Sequence, residues 1–425
     1  MSDLTLQSVM DPKVQQCPYP YYRALRGEAP VRLTPEGTYL VSTFDLIVQV
    51  VHDSKTYSSM SPHGGGLGLH QSAAADALIK EKGYGRSLPV FVNLDPPDHT
   101  VYRRIVMNAF RPARIRQMEQ SIIRTVTDVM DGFGDQTEVH VVHDFAIPVQ
   151  IYIIADMLGV ARSDFRLFRE WSDAWFVGFG LPISEEEHVK AAEKVVELQH
   201  HLMARIRERR EKPREDVISD FLDARFGGDR PLTDLEVLAM AENVLVAGHE
   251  TTSNSIAAGL HRLAVDQDLQ RRLRDEPTAI PKFVEELLRT EAPVQMMPRY
   301  VTQDSELGGV AIPKGATVMV AFASANRDDA KFADAESFNL DRPNAARHLT
   351  FGTGIHTCVG SSLAKLVLTN TFRLFLERYS AFKLARPQEQ LHYNLSFVLR
   401  GLSALDLTLA KAPVASSPVK AGAPT

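Results

Sequence analysis

The stretch Phe351-Gly352-Thr353-Gly354-Ile355-His356-Thr357-Cys358-Val359-Gly360 decides how the chain is read. Two glycines stand six and four residues before Cys358, and a third stands two after it. The apolar-periodic residues that follow, from about 359 to 378, predict a helix with the cysteine just ahead of it. A helix N-terminus offers unpaired N–H groups and a partial positive charge, which lower a thiol's pKa and stabilise its thiolate. Glycines allow positive φ and a close approach of the backbone to a flat ligand. A lone cysteine on a turn is most often a buried structural residue. A thiolate on a rigid glycine loop is also what axial ligation of haem iron requires, and both readings stand at this point.

Working outward, the next signal is a long helix. Thr233 and Glu236 form a capping-box pattern after Pro231, and apolar residues then continue to about Leu263 without a proline. At ~1.5 Å per residue such a helix is about 45 Å long. Leu235, Val237, Leu238, Met240, Val244, Leu245 and Val246 point in nearly all directions, as expected of a helix through the core. In its middle stands Ala247-Gly248-His249-Glu250-Thr251-Thr252. Glycine mid-helix costs about 1 kcal/mol relative to alanine. The expected reason is room for a small ligand, with Thr251 opening the local hydrogen-bond ladder and Glu250 and Thr251 relaying protons. A zinc-protease helix is excluded, because position 253 carries serine instead of the second histidine.

Further helices are predicted near 98–110, 113–132, 148–158, 163–176, 185–210, 215–225 and 278–290. Residues 31–33 and 39–41 read as strand, turn and strand, and 310–312 with 317–320 as a second hairpin. Residues 58–70 have loop chemistry. Helix outweighs strand, and no linker or repeat divides the chain. The expected architecture is mainly α with small β-sheets in one domain over 20–410, with an N-terminal extension over 1–19 and a disordered tail over 411–425. His140 and His143 invite a metal reading, but in an extended segment residues three apart point to opposite faces.

The 425 residues are ample for a large core, and a net charge of −6 does not suggest a nucleic-acid partner. Two cysteines, Cys17 and Cys358, make no disulfide framework. No signal peptide is readable, and the apolar runs at 145–155 and 315–326 are too short to cross a bilayer as helices. The expectation is a soluble, cytoplasmic protein without membrane attachment.

The pattern F-G-x-G-x-H-x-C-x-G resembles the haem-binding loop of the cytochrome P450 family, and A-G-x-E-T-T resembles its oxygen-activating motif. Asp95-Pro96-Pro97-Asp98-His99, followed by Arg103, is similar to the family's D-P-P-x-H-x-x-x-R segment. Glu286-Leu287-Leu288-Arg289 resembles its E-x-x-R pair, and Phe338 to Arg342 the coil that supplies a third member. The likeness runs from about residue 20 to 409. It implies the P450 fold and haem b (iron protoporphyrin IX) as cofactor, with Cys358 as the iron ligand. His99, Arg103, Arg299 and His356 would meet the propionates, and Ala247, Gly248, Phe351, Gly352 and Gly360 would lie against the porphyrin. Glu250 and Thr251 would serve proton delivery, and Glu286, Arg289 and Arg342 would form a buried structural trio. Lys365 stands where the family often has arginine.

The implied reaction inserts one oxygen atom from O2 into a C–H bond of a small hydrophobic substrate. By family position the pocket draws on Leu245, Val294, Met296, Met297 and Phe397. No flavin or dinucleotide motif is present, so electrons are expected from a separate acidic ferredoxin with its reductase. Arg103, Arg104, Arg111, Arg114 and Arg116 form a candidate docking patch. The alternatives are a peroxide-using haem-thiolate enzyme, against which the Glu250–Thr251 pair argues, and a haem-binding sensor, for which no output module is seen.

Overall fold

The computed structural model describes residues 8–62, 72–177 and 183–411. The expected tail, the first part of the N-terminal extension and most of the 58–70 loop lie outside these. The long helix forms over Asp234–Val265, and its capping box is complete: the Thr233 hydroxyl accepts from the Glu236 N–H at 3.2 Å, and the Glu236 carboxylate accepts from the Thr233 N–H at 2.8 Å. Two glycines set how closely its neighbours cross it. A Cβ on Gly248 would lie 2.6 Å from Ile154 Cδ1 on the helix Ile147–Leu158. A Cβ on Gly259 would lie 2.2 Å from Phe372 Cζ on the helix Ser361–Arg378, which follows the cysteine loop. The large core cluster is built around these three helices, with Phe145, Phe283, Phe372 and Phe375 buried in it.

The remaining expected helices form at Asp98–Ala109, Pro112–Asp131, Phe165–Phe176, Glu185–Glu211, Val217–Asp223 and Ile280–Thr290. Residues Val141–Leu158 make a stretch long and apolar enough to cross a membrane, longer than the sequence runs suggest, because a π-type turn continues into the helix. Two thirds of it is buried in the core, where Gln150 donates to the Gly248 carbonyl at 2.8 Å.

Strands Val31–Leu33 and Tyr39–Val41 pair antiparallel as expected. The second hairpin does not form. Val310–Ile312 pairs with Ser305–Leu307, whereas Thr317–Val320 pairs parallel with Tyr39–Val41 and antiparallel with Met297–Val301. The turn at 313–315 thus separates two sheets, and the partner of 317–320 is remote in sequence. A three-stranded sheet, Tyr379–Leu384, Asp406–Lys411 and Glu138–His140, lies elsewhere in the fold.

Candidate active site

The cysteine loop is shaped by its own backbone. Gly352 and Gly354 adopt φ of 65° and 72°, which side chains with a Cβ rarely reach. The Cys358 N–H donates to the Phe351 carbonyl at 2.8 Å, and the Thr357 hydroxyl donates to the Gly354 carbonyl at 2.8 Å. Gly360 is the N-cap of the following helix, and a Cβ there would reach the Cys358 Sγ and Phe110 at 3.9 Å. The N–H groups of Gly360 and Ser361 and the charge of Arg103 lower the thiol's pKa as expected. Crowding by the surrounding protein atoms opposes them and pushes the thiol up, although the side chain itself is exposed at the loop's open side.

Two arginines and two histidines converge on this loop. The rings of His99 and His356 are 4.4 Å apart, Arg103 donates to the Thr357 carbonyl, and the His356 Nε2 lies 3.0 Å from the Ser59 hydroxyl. Arg299 is buried, donates to the Pro298 carbonyl at 2.7 Å, and has its pKa lowered to about 10 by burial, with only Asp95 opposing. His356 is held down to about 3 by burial and by the charges of Arg299, His99 and Arg103. Both ring nitrogens of the buried His99 lack a partner. So many donors around one carboxylate suit a ligand with its own negative charges. Together with a glycine-framed cysteine, the donor set fits haem, whose two propionates are such charges.

On the long helix, Asn243, Val246, Glu250 and Thr251 are half-buried and Ala247 is exposed, defining its open face. The Thr251 hydroxyl donates to the Ala247 carbonyl at 3.1 Å. Glu250 is raised to about 7, first by burial and then by the Asp173 carboxylate, with Asn254 opposing. His249 turns the other way: its Nδ1 lies 2.8 Å from the Ser172 hydroxyl, and burial holds it down to about 4. Gly248 serves helix crossing, because the space its missing Cβ leaves is taken by Ile154 instead of facing a ligand.

The expected trio is together. Arg289 donates twice to the Glu286 carboxylate at 2.8 Å, and Arg342 donates to it at 3.0 Å. Arg289 also donates to the carbonyls of Asn326, Ala335 and Ser337. Both Glu286 and Arg289 are completely buried.

Among the expected pocket residues, Val294, Met297 and Phe397 are half-buried. Leu245 and Met296 are sealed in core clusters, so they do not line an open face. The docking patch also narrows, since Arg103 turns to the cysteine loop and Arg114 pairs with Asp220. Arg104, Arg111 and Arg116 stay exposed. No three His, Cys, Asp or Glu side chains among the described residues are grouped to hold a metal ion. His140 pairs with Asp406, and His143 with Arg169 at 2.9 Å.

Sequence reasoning missed the buried Glu242, the Asp173 carboxylate near Glu250, and Gln150. The last had a signal, a lone amide inside an apolar run.

Comparison with known proteins agrees with this geometry. The cytochrome P450 family model matches residues 164–403. Cytochrome P450 107B1 of Saccharopolyspora erythraea is 32% identical over 389 residues, covering 90% of this chain and 93% of that protein. The 6-deoxyerythronolide B hydroxylase of the same organism is 30% identical over 394 residues, covering 92% and 96%. The solved structure of CYP109E1 from Bacillus megaterium in complex with corticosterone superposes with a TM-score of 0.80 at 28% identity, covering 93% and 99%. Members of this family bind haem b through a cysteine thiolate. The chain therefore belongs to the cytochrome P450 family and is a P450 monooxygenase.

Proposed function

We propose that Cys358 is the haem ligand and that the enzyme hydroxylates a small hydrophobic molecule with electrons from an acidic ferredoxin. The observation that carries this is the gathering of His99, Arg103, Arg299 and His356 about a glycine-framed cysteine. Haem b supplies the redox iron at which O2 is reduced and one of its oxygen atoms passed to a C–H bond. Arg103 and Arg299 would supply charge and the neutral His99 and His356 ring N–H donors to its propionates, and so hold it against the cysteine loop. Ala247 keeps that face low, and Gly352 and Gly354 let the loop backbone approach. Glu250, about half protonated near pH 7, holds a proton that the Thr251 hydroxyl passes toward the open face. Glu286, Arg289 and Arg342 keep the coil behind the loop in place.

Val246, Val294, Met297 and Phe397 favour an apolar ligand, and Asn243 offers it one polar contact. The corticosterone complex of a relative supports a substrate of steroid size. For the electron donor, exposed Arg104, Arg111 and Arg116 have no carboxylate partner among the described residues, and Met107 and Ile355 are exposed apolar side chains on the helix and loop beside them. Positive charge around an apolar patch suits an acidic partner. A cytoplasmic location fits the need for such a donor.

The experiment is Cys358→Ser. The wild type should give the carbon monoxide difference spectrum of a thiolate-ligated haem, and the variant should lose that band and turnover. An unchanged spectrum rejects the assignment. For the donor, reduction should slow steeply as ionic strength rises; a flat dependence rejects the patch.

A further inference from the structure

Behind the cysteine loop lies a charged group that the reaction as described does not use. Glu285, on the helix Ile280–Thr290, reaches a lysine and a histidine at once. Its Oε1 is 2.6 Å from Lys365 Nζ, and its Oε2 is 3.3 Å from His348 Nε2. Lys365 belongs to the helix that follows Cys358 and is one third exposed, whereas the His348 ring is buried. Both partners flank the same aromatic ring. The Phe351 ring centroid is 5.7 Å from that of His348, and Lys365 Nζ stands 5.4 Å from the Phe351 centroid. The Phe351 carbonyl in turn holds the Cys358 N–H.

The tautomer of His348 follows from its contacts. Its Nδ1 accepts from the Thr350 N–H at 3.2 Å, so in the neutral ring the proton sits on Nε2, facing Glu285. Residues 349 and 350 are pinned as well: Leu349 N–H donates to Asn326 at 2.6 Å, and the Thr350 hydroxyl donates to the Leu288 carbonyl at 2.6 Å. A change of charge at His348 therefore meets a stiff frame and acts mainly through its field on the Phe351 ring and the loop.

We propose that Glu285 is a positioning residue for the cysteine loop: shared between His348 and Lys365, it sets the charge beside Phe351 and so the potential at which the haem is reduced. The charged groups facing His348 are Glu285 and Arg289 from the one helix and Lys365 from the other. Burial, Lys365 and Arg289 disfavour its protonation, and Glu285 favours it. Glu285 thus ties this histidine's proton to the partly exposed Lys365. An acidic group of a docking donor that engages Lys365 would leave Glu285 to His348 and draw a proton onto the ring.

The inference rests on Cys358 holding haem, which the wild-type carbon monoxide spectrum checks separately. The test uses the holoenzyme and the variants Glu285→Gln, Lys365→Gln and His348→Asn. The His348 ring is titrated by NMR in the carbon-monoxide-bound ferrous state, and the midpoint potential is measured from pH 5 to 9 (~59 mV per tenfold for one electron). His348 should titrate at lower pH in Glu285→Gln and at higher pH in Lys365→Gln. In the alkaline range, where the ring is neutral, the potential should rise in the first variant and fall in the second. His348→Asn should remove the pH-dependent part. Potentials that move in the same direction in both charge variants indicate loosening of the loop only and overturn the proposal, as does a potential indifferent to all three. Lys365 is exposed enough that its variant folds even if Glu285→Gln does not, and a fall in potential with an upward His348 titration in that variant alone still supports the proposal.

Discussion

Replacing Gly248 by alanine tests whether this glycine exists for helix crossing or for a ligand. The intrinsic effect is favourable, because alanine is preferred over glycine in a helix interior by about 1 kcal/mol. The packing effect is unfavourable. The new Cβ would stand 2.6 Å from Ile154 Cδ1 and 3.3 Å from its Cγ1, and overpacking of a well-filled core costs about 1–3 kcal/mol. The net expectation is a destabilisation of about 0–2 kcal/mol. Ile154→Val alone should cost about 0.5–1.5 kcal/mol, as removal of one buried methyl does. It removes the atom that collides, so the two changes together should compensate. The double variant should be at least as stable as Gly248→Ala, with a coupling of about 1–2 kcal/mol in the cycle. Urea unfolding of the holoenzyme, followed through the fluorescence of Trp171 and Trp175, gives the four stabilities. Additive effects would falsify the packing account. If turnover returns in the double variant along with stability, no ligand needs the space at Gly248.

Three other outcomes follow from the site. Arg289→Met strands the buried Glu286 carboxylate and three carbonyls, and breaking such a pair costs about 3–5 kcal/mol, read as a large fall in the urea midpoint. Glu250, raised to about 7, is protonated below that pH, so turnover should decline as pH climbs past 7. Glu250→Gln should flatten this limb and lower the rate ~100-fold, and an unshifted pH profile would remove Glu250 from the proton route. Glu242 is wholly buried and raised to about 7 by burial, with Ser87 and Gln199 opposing. The folded state binds its proton more tightly than the unfolded state, so its contribution worsens from about pH 4.5 to 7 and stays unfavourable above. Glu242→Gln should therefore stabilise the enzyme by about 2–3 kcal/mol at pH 8 and by little at pH 5.

Local signals were legible in the sequence where the physics is local. The Thr233–Glu236 box starts its helix as read, and the Cys358 glycines have the positive φ that their placement implies. Non-local pairing was not legible: nothing near 317–320 shows that its partner is 39–41, so adjacency suggested a hairpin. Rotational phase failed as well. A helix apolar on all sides does not reveal that Asn243 and Val246 face outward and Leu245 inward, since each step turns ~100°. Gly248 was read as a space for a ligand because its neighbour Ile154 belongs to another helix. Glu285 and His348 gave no signal, because a charge that looks like surface in sequence becomes a site only when a distant ring folds against it.

The strand Tyr39–Val41 lies parallel to Thr317–Val320, and Arg103 grips the carbonyl of Thr357, 254 positions further along the chain. During synthesis, the earlier-made half of the cradle must wait, incomplete, until the cysteine loop has left the ribosome. Cofactor capture is therefore a late event in the birth of this enzyme, and a nascent chain stalled before its cysteine loop has only one jaw with which to hold it.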